Sequence, residues 1–504
     1  MSVSFEAFSE RNPAFWYGLF VYLGATSAIG GHIAISIVVL FLAFLAMYSL
    51  VSAFRYHLLL AFCCGLASFI YVSNHVLLPP DHLNEIPGKA LLEVVDISSD
   101  MRYGRTFYRL TADIKHFQPT CGGFIVQNIP CRVVWHEKSE RPHGGVLYEV
   151  NGVLQRKPEG FSFKSDSGVA WAVQKTVFSL TELRYDLKRG VKCFLAKYLQ
   201  PGDVRFFLEG VLIGEFHENH LKACLKRFGL QHILVVSGFH FSLVLAIFMG
   251  IFRIFLSIRM SHLALIGVAT AFFLFIGPQP SVFRSYIASL LVLMSAVCEK
   301  SGSGINGIGL GLIILVLYDP TMSCNVSFQM SFLATWAILI LHPLCKNLLF
   351  SFLPRYSVAQ IGSFSFIEQV VFVISTFILS SLALVLAVTT MMLPVSLWAF
   401  QSFPLLGIFY NSFFPFIVSI AITLVILGGL FFWLPPLAAV AIGAGAALTE
   451  CLLTLVHSAP TWMDCTLHCE HVPIWILVLY LCLVSAGAIW LQDYSTLIRS
   501  TQKR

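Results

Sequence analysis

The sequence predicts a polytopic α-helical membrane protein with one small inserted extracytoplasmic β domain, and three observations lead there. The 504 residues are 57% hydrophobic and only 12% charged, with a mean hydropathy of +0.80; soluble domains run to about 45–50% and about 25%. The apolar residues come in runs long enough to cross a hydrocarbon core of about 30 Å. Of the 32 basic and 26 acidic residues, 38 lie between Asp81 and Arg227, so charge is gathered in one insert. A wholly soluble enzyme, a disordered chain and a small disulfide scaffold are excluded. The net charge of +6 is too small to indicate a nucleic-acid partner by itself.

Residues 1–80 read as N-terminal transmembrane helices, with spans at 15–29, 33–54 and 57–78. Glu6, Glu10 and Arg11 stand where a signal peptide would be basic, so the first span is read as retained. Pro79 and Pro80 end this block. From 85 to 165, short alternating segments at 90–97, 107–114, 123–127, 131–135 and 146–154 suit a small antiparallel barrel, OB-like in type. Such barrels hold single strands on exposed aromatics beside basic side chains, which makes Arg102, Arg105, Phe107, Arg109 and Trp135 the candidates. The same aromatics would serve equally to fill the barrel or rest on the membrane. Cys121 and Cys131 lie ten apart in the insert and are disulfide candidates if it faces an oxidising compartment.

Residues 181–230 form an amphipathic helical region, setting Leu183, Leu187, Val191, Phe194, Leu195 and Tyr198 against Lys188, Arg189, Lys192 and Lys197. It is expected in the membrane interface or beside the bundle. Residues 231–491 make a second membrane domain, with spans at 233–257, 263–276, 282–297, 305–317, 326–341, 367–392, 405–432, 437–456 and 474–491. The run 395–403, between Pro394 and Pro404, reads as re-entrant or as part of a broken helix. Residues 492–504 are a tail. With the N-terminus inside, Arg55, Arg253, Arg259, Lys300, Lys346, Arg355 and Arg499 fall on the cytoplasmic side. Asp319, Asp464, Glu470 and the β insert fall outside, as the positive-inside rule requires, provided the run 395–403 does not cross. Both termini are then cytoplasmic.

Polar residues within spans mark the candidate site. Ser237 and His240 share a helix face, and Gly238, Ser242, Ala246 and Gly250 form a small-residue stripe that lets another helix approach. Interhelical hydrogen bonding accounts for Ser237 and His240; so does a hydrated path, since intramembrane ionisable groups tend to face cavities. Arg284, a permanent charge on the outer side, either snorkels to the interface or meets a passing polyanion. Gln329, Ser331 and Asn411 add uncharged polar groups, and all are expected to face one cavity. No Walker A run encodes an ATP motor, and no His, Cys or acidic cluster has metal-site spacing, so neither cofactor nor metal is expected. A serine hydrolase on Ser237 and His240 lacks oxyanion donors, and a secondary transporter for a small anion or lipid-linked substrate would use similar polar spans.

The run 229–240, Gly-Leu-Gln-His-Ile-Leu-Val-Val-Ser-Gly-Phe-His, resembles the signature of the ComEC family of competence membrane proteins, usually Gly-Leu-x-His-Leu-Leu-Ala-x-Ser-Gly-Leu-His. Gly214-Glu215, Ser281 to Arg284, Asp319-Pro320, Ser327 to Phe332, Pro394, Phe400 and Asn411 to Pro415 are similar to further elements of that family, in order. Phe239 for Leu is a mild departure. The resemblance implies a non-enzymatic channel carrying transforming DNA, as a single strand, across the bacterial cytoplasmic membrane, with an external OB domain. It implies a separate periplasmic DNA-binding protein and a cytoplasmic motor or single-strand-binding proteins, and it leaves room for an oligomer. Many members carry a C-terminal metallo-β-lactamase-like domain. The sequence ends shortly after Leu491 without one, so nuclease activity is expected from another protein.

Overall fold

The structure, a computed structural model, describes residues 2–29, 54–79, 83–102, 105–120, 126–134, 141–157, 160–166, 171–175, 179–216, 219–234, 238–300, 302–354, 356, 358–458, 465–470 and 472–501. The chain opens with α1 (Ser2–Arg11) and α2 (Pro13–Ile29), and α3 (Arg55–His75) runs beside α2. Residues 33–53 of the span expected at 33–54 lie outside the described residues. Shape rather than charge sets the contacts of α2. Gly24 meets the backbone of Gly65 in α3, and on another side Gly18 meets Gly309, at distances that leave no room for a Cβ.

Six strands follow: β1 (Glu85–Arg102), β2 (Arg105–Pro119), β3 (Ile129–Val134), β4 (Leu147–Lys157), β5 (Gly160–Ser165) and β6 (Ala172–Lys175). β1 pairs antiparallel with both β2 and β4, β2 with β3, and β4 with β5, while β3 and β5 run parallel. These pairings close a five-stranded ring, to which β6 adds along β4. Alternation of side chains along each strand packs Leu92, Val94, Leu110, Ile114, Val133 and Phe163 inside it. The expected strand at 123–127 survives, among the described residues, as two isolated bridges, Val126 with Phe117 and Gln127 with Leu77. β5 escaped the sequence pattern because its buried positions, Ser162, Phe163 and Ser165, do not alternate.

A register shift between Val94 and Asp96 interrupts the β1–β2 ladder, and such a bulge re-aims a backbone group. The Val95 carbonyl accepts from Thr181 Oγ1 at 3.0 Å and Arg184 NH1 at 3.2 Å. Both donors belong to α4 (Leu180–Leu195), whose N-cap is Ser179. The two faces expected for this region are each divided: Lys188 is buried, at 2% side-chain exposure, and Leu183 and Leu187 are 49% and 50% exposed, whereas Arg189 and Lys197 are exposed and Leu195 is buried.

The remaining helices are α5 (Asp203–Ile213), α6 (Asn219–Arg227), α7 (Gly238–Phe255), α8 (Ile258–Ile276), α9 (Pro280–Val297), α10 (Gly304–Tyr318), α11 (Val326–Ile340), α12 (His342–Phe350), α13 (Val358–Gly362), α14 (Phe366–Phe400), α15 (Gly407–Leu430), α16 (Pro435–His457) and α17 (Ile474–Thr501). Among the described residues eight helices are long and apolar enough to cross a membrane. The α11–α12 pair, bent by 46°, is a broken span or a re-entrant loop. The ring meets one end of this bundle: Asn128 donates to the His75 carbonyl at the end of α3, and Arg184 donates to the Leu274 carbonyl near the end of α8.

No break occurs at Pro394, because α14 runs through it to Phe400. Proline removes the N–H that would bind the carbonyl four residues back, here that of Thr390. The Tyr480 hydroxyl of α17 donates to that carbonyl at 3.1 Å, which satisfies the freed group. Beyond Phe400, a two-stranded pairing of β7 (Ser402–Pro404) with β8 (Thr466–His468) closes the turn.

Candidate functional site

The run 229–240 bridges two places in the bundle. At its start Gly229 has φ +69°, and a Cβ there would stand 2.9 Å from Pro404 and 3.4 Å from the Cα of Gly407. Only glycine fits both the left-handed backbone and that approach. His232 Nδ1 donates to the Gly229 carbonyl at 3.1 Å. At the other end, Gly238 opens α7 among the described residues, with Ser237 just outside them. A Cβ on Gly238 would lie 3.3 Å from Ser285 Oγ and 3.8 Å from Arg284 NH2, so the start of α7 lies against the first turns of α9. The rest of the small-residue stripe differs from expectation: Ser242, Ala246 and Gly250 are exposed, and no other helix meets Gly250 among the described residues.

Arg284 is half-buried. Its NH1 donates to Thr335 Oγ1 at 3.2 Å, and Thr335 Oγ1 donates in turn to the Ser331 carbonyl at 3.1 Å. Its Nε is sealed from water without a hydrogen-bond acceptor, and no carboxylate among the described residues pairs with it. Ser331 therefore enters the site through its backbone. Thr335, which sequence reading passed over, is the side chain that links α9 to α11, and its spacing of four from Ser331 was the available signal.

The other candidates are dispersed. His240, 4% exposed, borders a cavity of about 260 Å³ whose walls include Val191, Phe194, Val244, Phe272, Val425 and Ile426. Gly238, Arg284, Gln329, Ser331 and Asn411 do not line it. Gln329 Nε2 donates to the Ser323 carbonyl at 3.1 Å, beside Tyr22 of α2, and so fastens the turn that precedes α11. Asn411 stands near the Gly229 end of the run. Its Oδ1 is buried without a donor, and Pro415 removes the N–H that would have bound its carbonyl.

On the ring, Arg109 and Arg132 are exposed. Since Thr111 pairs with Arg132, both arginines fall on the same outer face. Arg102 pairs with Arg105, and Phe107 with Asp100, along the β1–β2 hairpin. Trp135 and Cys121 lie outside the described residues. Cys131 is a free thiol packed in the ring's interior, where burial pushes its pKa upward.

Sequence reading did not foresee the charged junction under α4. Glu215, the acid of the Gly214-Glu215 pair, is 5% exposed and receives Lys188 at 3.2 Å and Lys192 at 2.7 Å. Lys192 also donates to the Ser99 carbonyl of β1, and Asp96 stands 3.5 Å from Arg184 and 3.9 Å from Lys188. Near the start of the helix, Glu182 is held by both NH groups of Arg141, at 3.0 and 2.8 Å, and by the Gly144 N–H at 2.7 Å. Burial would raise this carboxyl, but those donors outweigh it and hold its pKa below the ordinary 4.5. Among the described residues, the group able to hold a metal lies apart from all of this, at His220, Cys224 and His457. His457 is far off in sequence, so spacing carried no signal.

Comparison with known proteins gives two matches to report. A family model described as Competence protein matches residues 215–494. ComE operon protein 3 of Bacillus subtilis (strain 168) is 21% identical over 216 residues, which are 42% of this chain and 25% of that protein. The match thus spans about a quarter of the relative's length. No solved structure matches.

Proposed function

We propose, on the premise that this chain belongs to the competence protein family, that it serves DNA uptake as the channel passing a single strand across the bacterial cytoplasmic membrane. The observation that carries the proposal is Arg284. A half-buried guanidinium with one hydroxyl partner and no carboxylate is costly to maintain, and it is compensated when an anion reaches it. Gly238, the first described residue of α7, lies beside it and leaves space on that side. A phosphate backbone supplies the anion at every nucleotide.

A strand does not fit the apolar chamber beside His240, so its route follows Arg284 and Gly238, with Ser237 adjoining in sequence. Asn411 and Gln329 belong to the helices that must part. The ring is an OB-like barrel on the outer side, where Arg109 and the hairpin with Arg102, Arg105 and Phe107 meet the strand. The termini lie inside. No chemistry is performed on the strand by this chain; the DNA-capturing protein and the motor are separate partners.

The test is uptake of labelled DNA into the cytoplasm by cells carrying Arg284→Ala or Arg284→Lys at matched expression. Arg284→Ala is expected to lower uptake at least tenfold, and Arg284→Lys to retain part of it. Wild-type uptake by Arg284→Ala would overturn the reading. The bent α11–α12 pair favours a second reading, transport of a small anion. Purified protein in vesicles that moves small anions but no oligonucleotide would establish it.

A further inference from the structure

We infer that His220, Cys224 and His457 form a binding site for a divalent transition-metal ion, zinc above all, which clips α6 to the end of α16. His220 and Cys224 are four apart on α6 and so share a face. The His220 ring nitrogens stand 4.0 and 3.9 Å from Cys224 Sγ. The rings of His220 and His457 stack at 5.7 Å and 22°, and one ligand atom from each of the three residues lies within 4.8 Å of the others.

A tetrahedral zinc ion with nitrogens at about 2.0–2.1 Å and sulfur at about 2.3 Å holds its ligand atoms roughly 3.4–3.6 Å apart. The side chains therefore need only small rotations to close on it. One thiolate with two imidazoles is a donor set suited to zinc or copper and poorly suited to magnesium or calcium. Asp203 Oδ2 lies 3.8 Å from His457 Nε2, close enough that a small rotation would let the carboxylate orient a ligating imidazole through its second nitrogen, with one position on the ion open to water. His220 and His457 are exposed and Cys224 is half-buried, beside a cleft lined by Asp203, Glu450 and Thr454, so an ion can enter from solvent. Metal binding here would release the thiol proton and fix the helix that leads through Gly229 into the run 229–240.

The test uses the purified full-length chain in detergent, titrated with Co²⁺ as a spectroscopic stand-in and then with Zn²⁺. One equivalent of Co²⁺ is expected to give a thiolate charge-transfer band that Zn²⁺ abolishes. Cys224→Ser should remove the band, and His220→Asn and His457→Ala should each weaken Zn²⁺ binding at least tenfold; Cys465→Ser should change nothing. Zn²⁺ should also raise the melting temperature of the wild type and not that of Cys224→Ser, a comparison made within each protein and independent of its starting stability. A band that survives Cys224→Ser, or no binding of one equivalent by the wild type, would overturn the site.

Discussion

Replacing Glu215 by Gln tests the junction between ring and bundle. Two ammonium groups stand 2.7 and 3.2 Å from this carboxylate, and at an effective dielectric of about 20 each attraction is worth roughly 5 kcal/mol before desolvation. Removing water from so deeply buried a carboxylate offsets much of that, and the measurable cost of deleting one partner of a buried pair is about 3–5 kcal/mol. Lys192 keeps the Ser99 carbonyl, whereas Lys188 keeps only Asp96 at 3.9 Å and is almost wholly sealed. The expected loss is therefore about 3 kcal/mol, at the lower end of that range, read as a shift in equilibrium unfolding in mixed micelles. Combining Glu215→Gln with Lys188→Met removes the stranded charge, so the pair should recover about 2 kcal/mol relative to additivity. A single variant within about 0.5 kcal/mol of wild type, or a double variant that is simply additive, would refute a coupled junction.

Two further outcomes follow from the same packing. Glu182 has a depressed pKa, so its stabilising contribution is full above the unfolded value near 4.5 and fades as pH falls through the lower folded value; thermal melts should show loss on acidification below about 4.5, and Glu182→Gln should flatten that dependence. Tyr480→Phe removes the donor to the Thr390 carbonyl and should cost about 1 kcal/mol in unfolding measured in micelles, with no such cost for Tyr356→Phe, whose hydroxyl is not part of this repair.

Much of the membrane architecture was legible because a span needs only length and apolarity. The runs at 263–276 and 437–456 fall within α8 and α16. Polarity alone did not separate the charges in and just after α4: Lys188 was grouped with Arg189 and Lys197, yet Lys188 is buried against Glu215 while Arg189 and Lys197 are exposed. Proline misled at 394 because a helix packed among neighbours tolerates the lost N–H, as α15 does at Pro415, and at 394 a distant side chain, Tyr480, also takes the freed carbonyl. At the candidate site the sequence identified Gly238, His240 and Arg284 but not their distribution. Arg284 lies against Gly238 while His240 turns to an apolar chamber, a difference that depends on how three helices cross. Thr335 and His457 were missed, and Glu215 was noted without its lysine partners, for the same reason: each acquires its role from a partner elsewhere in the chain.

The bulge at Val95 has a mechanical consequence. Because its carbonyl is taken by the helix that also grips the bundle, the ring is not a domain on a tether, and linker length does not set the local concentration of anything it holds. It acts as a fixed sill. A ligand seated on the ring is presented to the helices at one distance and in one orientation, and lengthening the chain between β6 and α4 would alter neither while Thr181 and Arg184 stay in place.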